Sequence, residues 1–86
     1  MQFEWDEEKE RANQVKHKLT FSEAALIFDD PFALRVDDLK HSTSETRNWL
    51  IGQGDGGGIV VVFTMRRRGA SEYCRIISAR KANRRE

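Results

Sequence analysis

The 86-residue sequence has one cysteine, one proline and one tyrosine. With Cys74 alone, no internal disulfide can form, so the fold must stand on packing and a cytoplasmic location is expected. No run of about 18 apolar residues occurs, which leaves nothing to cross a membrane as a helix. The amino terminus, MQFEWDEEKE, is acidic from its fourth residue and does not read as a secretory signal. So little proline, with six glycines, excludes a collagen-like or low-complexity chain. The length suits a single domain over 1–86. A domain of this size buries only about 60% of its unfolded surface, so a partner or oligomer that covers more apolar area is expected.

Charge is abundant, at 34% of residues, and the net charge of +1 conceals a division. Residues 1–45 carry 6 Lys/Arg against 11 Asp/Glu, a net of −5. Residues 46–86 carry 9 against 3, a net of +6. A basic half is a candidate surface for nucleic acid. The plainer alternative is that these charges solvate a small domain.

Periodicity gives the layout. Phe3-Glu4-Trp5 alternates and predicts a short strand. Asp6 is placed to cap a helix, with Glu7 and Glu8 at the positive end of its dipole. Ala12, Val15 and Leu19 predict its apolar stripe, ending near Lys18. Thr20 and Glu23 form a capping-box pattern for a second helix, whose buried face is predicted at Phe21, Ala24, Ala25 and Phe28. Asp29-Asp30-Pro31 stops it. The period then changes to two. Phe32, Leu34 and Val36 alternate with polar neighbours, and Arg47, Trp49 and Ile51 share one face of the next strand. Ile59 to Phe63 predicts a central strand, and Tyr73 to Ser78 another. GQGDGGG and RRRGAS read as hairpin turns, and residues 80–85 as a short basic terminal helix. The predicted fold is α+β: a small curled antiparallel sheet with two amino-terminal helices packed on one face.

Candidate chemistry follows from residue types. GQGDGGG lacks the Gly-Lys-Ser/Thr ending of a phosphate loop and is read as a hairpin. Cys74, His17 and His41 lack ligand spacing, so no metal and no cofactor is expected. Cys74 reads as a small core residue. Arg66, Arg67 and Arg68 offer phosphate contacts at a hairpin tip or are solvated surface. Arg47, Arg75 and Arg80 interrupt or end strands. Beside aromatic side chains they can hold RNA phosphates and stack bases; alternatively they pair with Glu45 and Glu72. His17 near a helix end either complements the dipole or shuttles protons, and the loop residue His41 carries the same two readings.

Several ordered motifs resemble one family. Phe-Glu-Trp-Asp at 3–6, Lys16-His17, Phe21-Ser22-Glu23-Ala24-Ala25 and Phe28-Asp29-Asp30-Pro31 resemble the first half of BrnT proteins. His41-Ser42, Glu45, Arg47, Ile51-Gly52, Arg75-Ile-Ile-Ser-Ala-Arg80 and Ala82 continue the pattern over nearly the whole chain. The resemblance implies a RelE-like fold and the ribonuclease toxin of a bacterial type II toxin–antitoxin pair. Such a toxin would cut RNA without a metal, inhibit translation and growth, and be neutralised by a BrnA-like antitoxin. DNA would be reached only through that antitoxin.

By the same resemblance Arg75 and Arg80 supply positive charge with Arg47 beside them, and Glu45 or His17 handles protons, with the loop residue His41 a weaker candidate. Arg66, Arg67, Arg68, Lys81 and Trp49 are the expected RNA-binding residues. Two positions depart from the family. Lys18 stands where glycine is usual, and Met65 stands where a glutamate often follows the threonine. Met65 favours the competing reading, an inactive relative that only binds an antitoxin or nucleic acid.

Overall fold

A computed structural model describes residues 1–38, 45–54 and 56–82. The elements are β1 (Gln2–Glu4), α1 (Glu7–His17), α2 (Phe21–Leu26), a 3-10 turn (Ile27–Asp29), β2 (Leu34–Asp38), β3 (Arg47–Gly54), β4 (Gly57–Arg68) and β5 (Ser71–Lys81). One open sheet holds the strands in the order β1-β5-β4-β3-β2. The α+β layout is as predicted, and β2 to β5 are antiparallel neighbours. β1, however, joins β5 in parallel, so the sheet is mixed. No hairpin links these two strands, and the connection between them runs through the rest of the domain, so turn geometry does not impose an antiparallel direction.

The helix starts were legible. Asp6 accepts hydrogen bonds from the backbone N–H of Glu8 at 2.8 Å and Lys9 at 3.3 Å, capping α1. Thr20 and Glu23 form the reciprocal capping box of α2. Phe21 and Ala24 are buried, Ala25 and Phe28 pack against the core, and Ile27 of the 3-10 turn is buried with them.

The predicted stripe of α1 is corrected. Ala12 is exposed and Val15 is 78% exposed, whereas Asn13 is buried. β1 pairs with residues 73–75 of β5, and among the described residues no strand pairs with the rest of that edge. Asn13 fills the vacancy. Its Nδ2 donates to the Ala79 carbonyl at 2.9 Å and the Leu19 carbonyl at 3.1 Å, and its Oδ1 accepts from the Ala79 N–H at 3.0 Å. A side-chain amide thus substitutes for a neighbouring strand. Leu19 is buried, but beyond the helix end. Lys18, in the left-handed region at φ 61°, closes the helix by donating its N–H to Gln14 O at 2.9 Å. It adopts the conformation that glycine takes without strain.

Below the helices lies a core of Leu19, Phe21, Ala24, Ile27, Leu50, Ile59, Val61, Phe63, Cys74, Ile76 and Ala79. Burial pushes the Cys74 thiol up to about 12, as expected of an inert core cysteine. Phe28 links Phe3 to Phe63 through edge-to-face contacts at 5.2 and 4.9 Å. The 3-10 turn closes on β3 at Gly52, where a Cβ would stand 2.6 Å from Ile27 Cγ2, and Asp30 Oδ2 accepts from the Gln53 N–H at 3.0 Å.

The carboxyl end is also corrected. Arg80 and Lys81 continue β5 rather than opening a helix, because β4 extends to Gly57 and keeps offering partners. Ile59 pairs with Lys81, and the Ala82 N–H donates to Gly58 O at 2.9 Å. Residues 83–86, also assigned to that helix, lie outside the described residues, as does His41. The RRRGAS turn is a two-residue hairpin between Arg68 and Ser71, with Gly69 at φ 62°. Glycine occupies the first central position, as a type II′ turn requires.

Candidate functional site

α2 and the 3-10 turn cover one face of the sheet, α1 lies along the β5 edge, and the other face is open with the start of α1 at its border. Asn48, Leu50, Val61 and Phe63 point to the helices, so Arg47, Trp49, Val62, Thr64 and Arg66 belong to the open face. β4 alternates regularly along this length, but β5 does not. Val62 pairs with Ser78 and Phe63 with Ile76, so Ile77 is an extra residue, a β-bulge. Beyond the bulge the alternation is reset, and Arg75 opposite Thr64 shares the open face with Arg80 opposite Val60.

There, a cleft of about 190 Å³ is lined by Lys9, Glu45, Arg47, Thr64, Arg66, Arg75 and Ile77. Thr64 Oγ1 donates to the Thr46 carbonyl at 2.8 Å and fastens the approach to β3 onto β4, setting Glu45 in place. Arg66 grips Glu45 through both carboxylate oxygens, at 2.9 and 2.8 Å. That contact holds the Glu45 carboxyl below the usual range, helped by the charges of Arg66, Arg75 and Arg47 and opposed by desolvation. The Arg66 guanidinium is pushed up correspondingly. Arg75 donates to Glu4 at 2.8 Å, and Arg68 donates to Glu4 at 2.6 and 3.2 Å. Arg75 is the leading cause of the lowered Glu4 pKa; Arg68 adds to it and desolvation opposes it. The site is therefore strongly cationic, with its carboxylates ionised.

Beside the cleft, the Arg80 guanidinium lies 5.8 Å from the centre of the Trp49 ring. The Trp49 indole Nε1 donates to Asp38 at 2.9 Å, fixing the ring. The structure thus brings Glu45, Arg47, Arg66 and Arg75 together and sets Arg80 and Trp49 on the same face.

Other candidates lie elsewhere. His17 ends α1, eight residues beyond the cleft residue Lys9, about 12 Å along the helix axis. Lys81 lines a separate cleft of about 320 Å³ with Lys18 and Leu26. Strand alternation divides the arginine run. Arg67 pairs with Glu72, 3.9 Å away, on the helix-side parity, while Arg68 reaches Glu4 and lies over Tyr73 at 5.1 Å. Met65 packs against the core opposite Cys74.

Sequence reasoning missed Lys9, Thr64 and Glu4. Two-residue alternation with Arg66 was a signal for Thr64. Glu4, between Phe3 and Trp5, was marked by alternation as facing away from the core. Nothing local marked Lys9, because the helix end that meets the sheet depends on how α1 docks. Among the described residues no group of three or more His, Cys, Asp or Glu is arranged to hold a metal ion. No described helix is long and apolar enough to cross a membrane.

No curated protein matches the chain. The family described as the ribonuclease toxin BrnT of type II toxin–antitoxin systems matches residues 5–86, which include both helices and strands β2 to β5. On a match of that extent the chain belongs to the BrnT family of type II ribonuclease toxins.

Proposed function

We propose that this protein is an endoribonuclease that cuts RNA without a metal ion at the Glu45–Arg75 cleft, and so inhibits translation and growth. The observation that carries the reading is one carboxylate, Glu45, set among Lys9, Arg47, Arg66 and Arg75 on an open sheet face. Cleavage by the 2′-hydroxyl needs a base, a proton for the leaving oxygen, and positive charge where negative charge grows at phosphorus.

Glu45, ionised at neutral pH, accepts the 2′-hydroxyl proton. Arg47 and Arg75 stabilise the charge on the phosphorane oxygens, and the Lys9 ammonium supplies the proton to the leaving oxygen. Arg66 positions Glu45. When a phosphate draws part of that guanidinium away, the carboxylate becomes a stronger base. Four cations around the cleft supply the charge that a metal would otherwise bring. Arg80 over Trp49 gives a platform for a base and its phosphate.

Of the residues expected to handle protons, Glu45 lies in the cleft, His17 does not, and His41 lies outside the described residues; this supports Glu45. Met65 packs against the core, so a glutamate missing there takes nothing from the lining of this cleft. The helices leave the sheet face open to RNA, which is consistent with a RelE-like mode of action. Neutralisation by a BrnA-like antitoxin in the cytoplasm, with DNA contacted only through that partner, completes the reading.

The test is cleavage of purified RNA in EDTA by the protein and by its Arg75→Ala/Arg80→Ala and Glu45→Gln variants. Cutting by the parent alone is expected. Parent-rate cutting by the folded double variant would remove the site, and cutting abolished by EDTA would overturn the chemistry.

A further inference from the structure

β2 is the last strand of the sheet, and among the described residues no strand pairs with its outer edge. Two of its three open-face side chains are apolar and uncovered: Leu34 is 61% and Val36 42% exposed, with Asp38 the third, and Phe32 just before the strand is 91% exposed. Leu34 and Val36 adjoin Ile51 and Trp49, their partners on β3. Soluble proteins usually blunt such an edge with charges that repel an incoming strand. β2 does carry charge, at Arg35, Asp37 and Asp38, but the order of its signs has the opposite effect.

We propose that a second copy of this chain docks here by antiparallel pairing of β2 with β2, about a two-fold axis through Val36. About that axis Val36 faces its own copy, Arg35 faces the second copy's Asp37, and Asp37 faces its Arg35. Two opposite-charge cross-strand pairs therefore form on one face, while on the other Val36 meets the second copy's Val36. Arg35 and Asp37 are both exposed. In the single chain the Arg35 guanidinium is turned inward, over the Phe63 ring at 5.2 Å with its Nε donating to Asn48 at 3.4 Å, so the pair with Asp37 requires it to swing out over the β2 edge.

Neighbouring registers that keep the same faces together are repulsive. An axis through Arg35 sets arginine against arginine, and one through Asp37 sets aspartate against aspartate. Charge therefore selects a single register. Leu34 would face the second copy's Asp38, whose carboxylate already accepts the Trp49 indole N–H. The assembly is isologous and doubles the five-stranded sheet. It does not depend on the proposed ribonuclease activity.

The experiment is sedimentation equilibrium across a concentration series for the parent, Arg35→Asp, Asp37→Arg, and an equimolar mixture of those two variants. The parent is expected to approach twice the 10.0 kDa of one chain. Each single reversal, its folding checked by circular dichroism, is expected to stay at one chain mass. The mixture is expected to regain the doubled mass, because each pair again joins opposite signs. Val36→Lys, at an exposed site, sets two ammonium groups on the axis and is expected to give monomer even if Arg35→Asp fails to fold. A monomeric parent at every concentration overturns the proposal. So does a dimer indifferent to the Asp37 reversal and to Val36→Lys, or a mixture of folded reversed variants that does not associate.

Discussion

Arg75 and Arg80 lie on the same face of β5 although they stand five positions apart in the sequence. In a regular strand an odd separation sends two side chains to opposite faces. The bulge at Ile77 adds the one residue that brings both onto the open face. The arginine pair expected from the resemblance is therefore united by an irregularity, while the consecutive Arg66–Arg68 run is divided by regular alternation.

That division predicts unequal roles for the arginines. Arg75→Ala is expected to slow single-turnover RNA cleavage by about 10²–10³-fold, the usual cost of removing one preorganised charge stabiliser. Arg67→Ala, on the other parity and exposed, is expected to leave the rate within about twofold of the parent, as a solvated cation does.

Glu45 and Arg66 should reveal themselves through pH. With Glu45 as base, Glu45→Gln is expected to lose about 10²–10⁴-fold in rate while remaining folded. Because the folded Glu45 pKa is lowered, the acid limb of kcat/KM should fall below the ordinary glutamate range. Arg66→Ala removes the leading cause of that shift and should move the limb upward. A limb unmoved by Arg66→Ala would separate Glu45 from proton transfer.

Asn13 should matter for stability rather than chemistry. Asn13→Ala strands the Ala79 N–H and C=O and removes a donor from Leu19 O. The expected cost is about 2–4 kcal/mol, read as a fall in Tm of about 10–30 °C for a domain of this size. A loss below about 1 kcal/mol would mean that those groups find other partners.

Lys18→Gly should act in the opposite direction. It relieves a left-handed residue at φ 61°, a cost of about 1–2 kcal/mol, against about 0.4–1 kcal/mol of added freedom in the unfolded chain. A net gain of about 0.5–1 kcal/mol is expected in denaturant unfolding, with an unchanged m-value.

Glu4 should contribute to acid sensitivity. Its folded pKa is lowered, so its stabilisation is fully present above the unfolded glutamate value of about 4.3 and is lost as pH falls through the lower folded value. Glu4→Gln is expected to cost about 1–2 kcal/mol at neutral pH. The difference from the parent should vanish as pH falls below the lowered folded value, when both side chains are neutral.

The caps at Asp6 and Thr20, the stop at Asp30-Pro31, the hairpin at Gly69 and the alternation of Arg47, Trp49 and Ile51 were legible because each depends on residues a few positions apart. Backbone conformation and strand parity are local properties, and short motifs report them directly. The docking face of α1 was not legible. Asn13 became its buried residue because an edge of β5, 66 residues away, lacked a strand. The parallel direction of β1, the Glu4–Arg75 pair and the extension of β5 through Lys81 likewise depend on which distant segment lies alongside. Arg75 and Arg80 could be nominated from their residue types, but their common face required a bulge, and a bulge is visible only once both strands of a ladder are in register. Hydrogen-bond vacancies and register belong to pairs of segments, so they are settled when the chain packs.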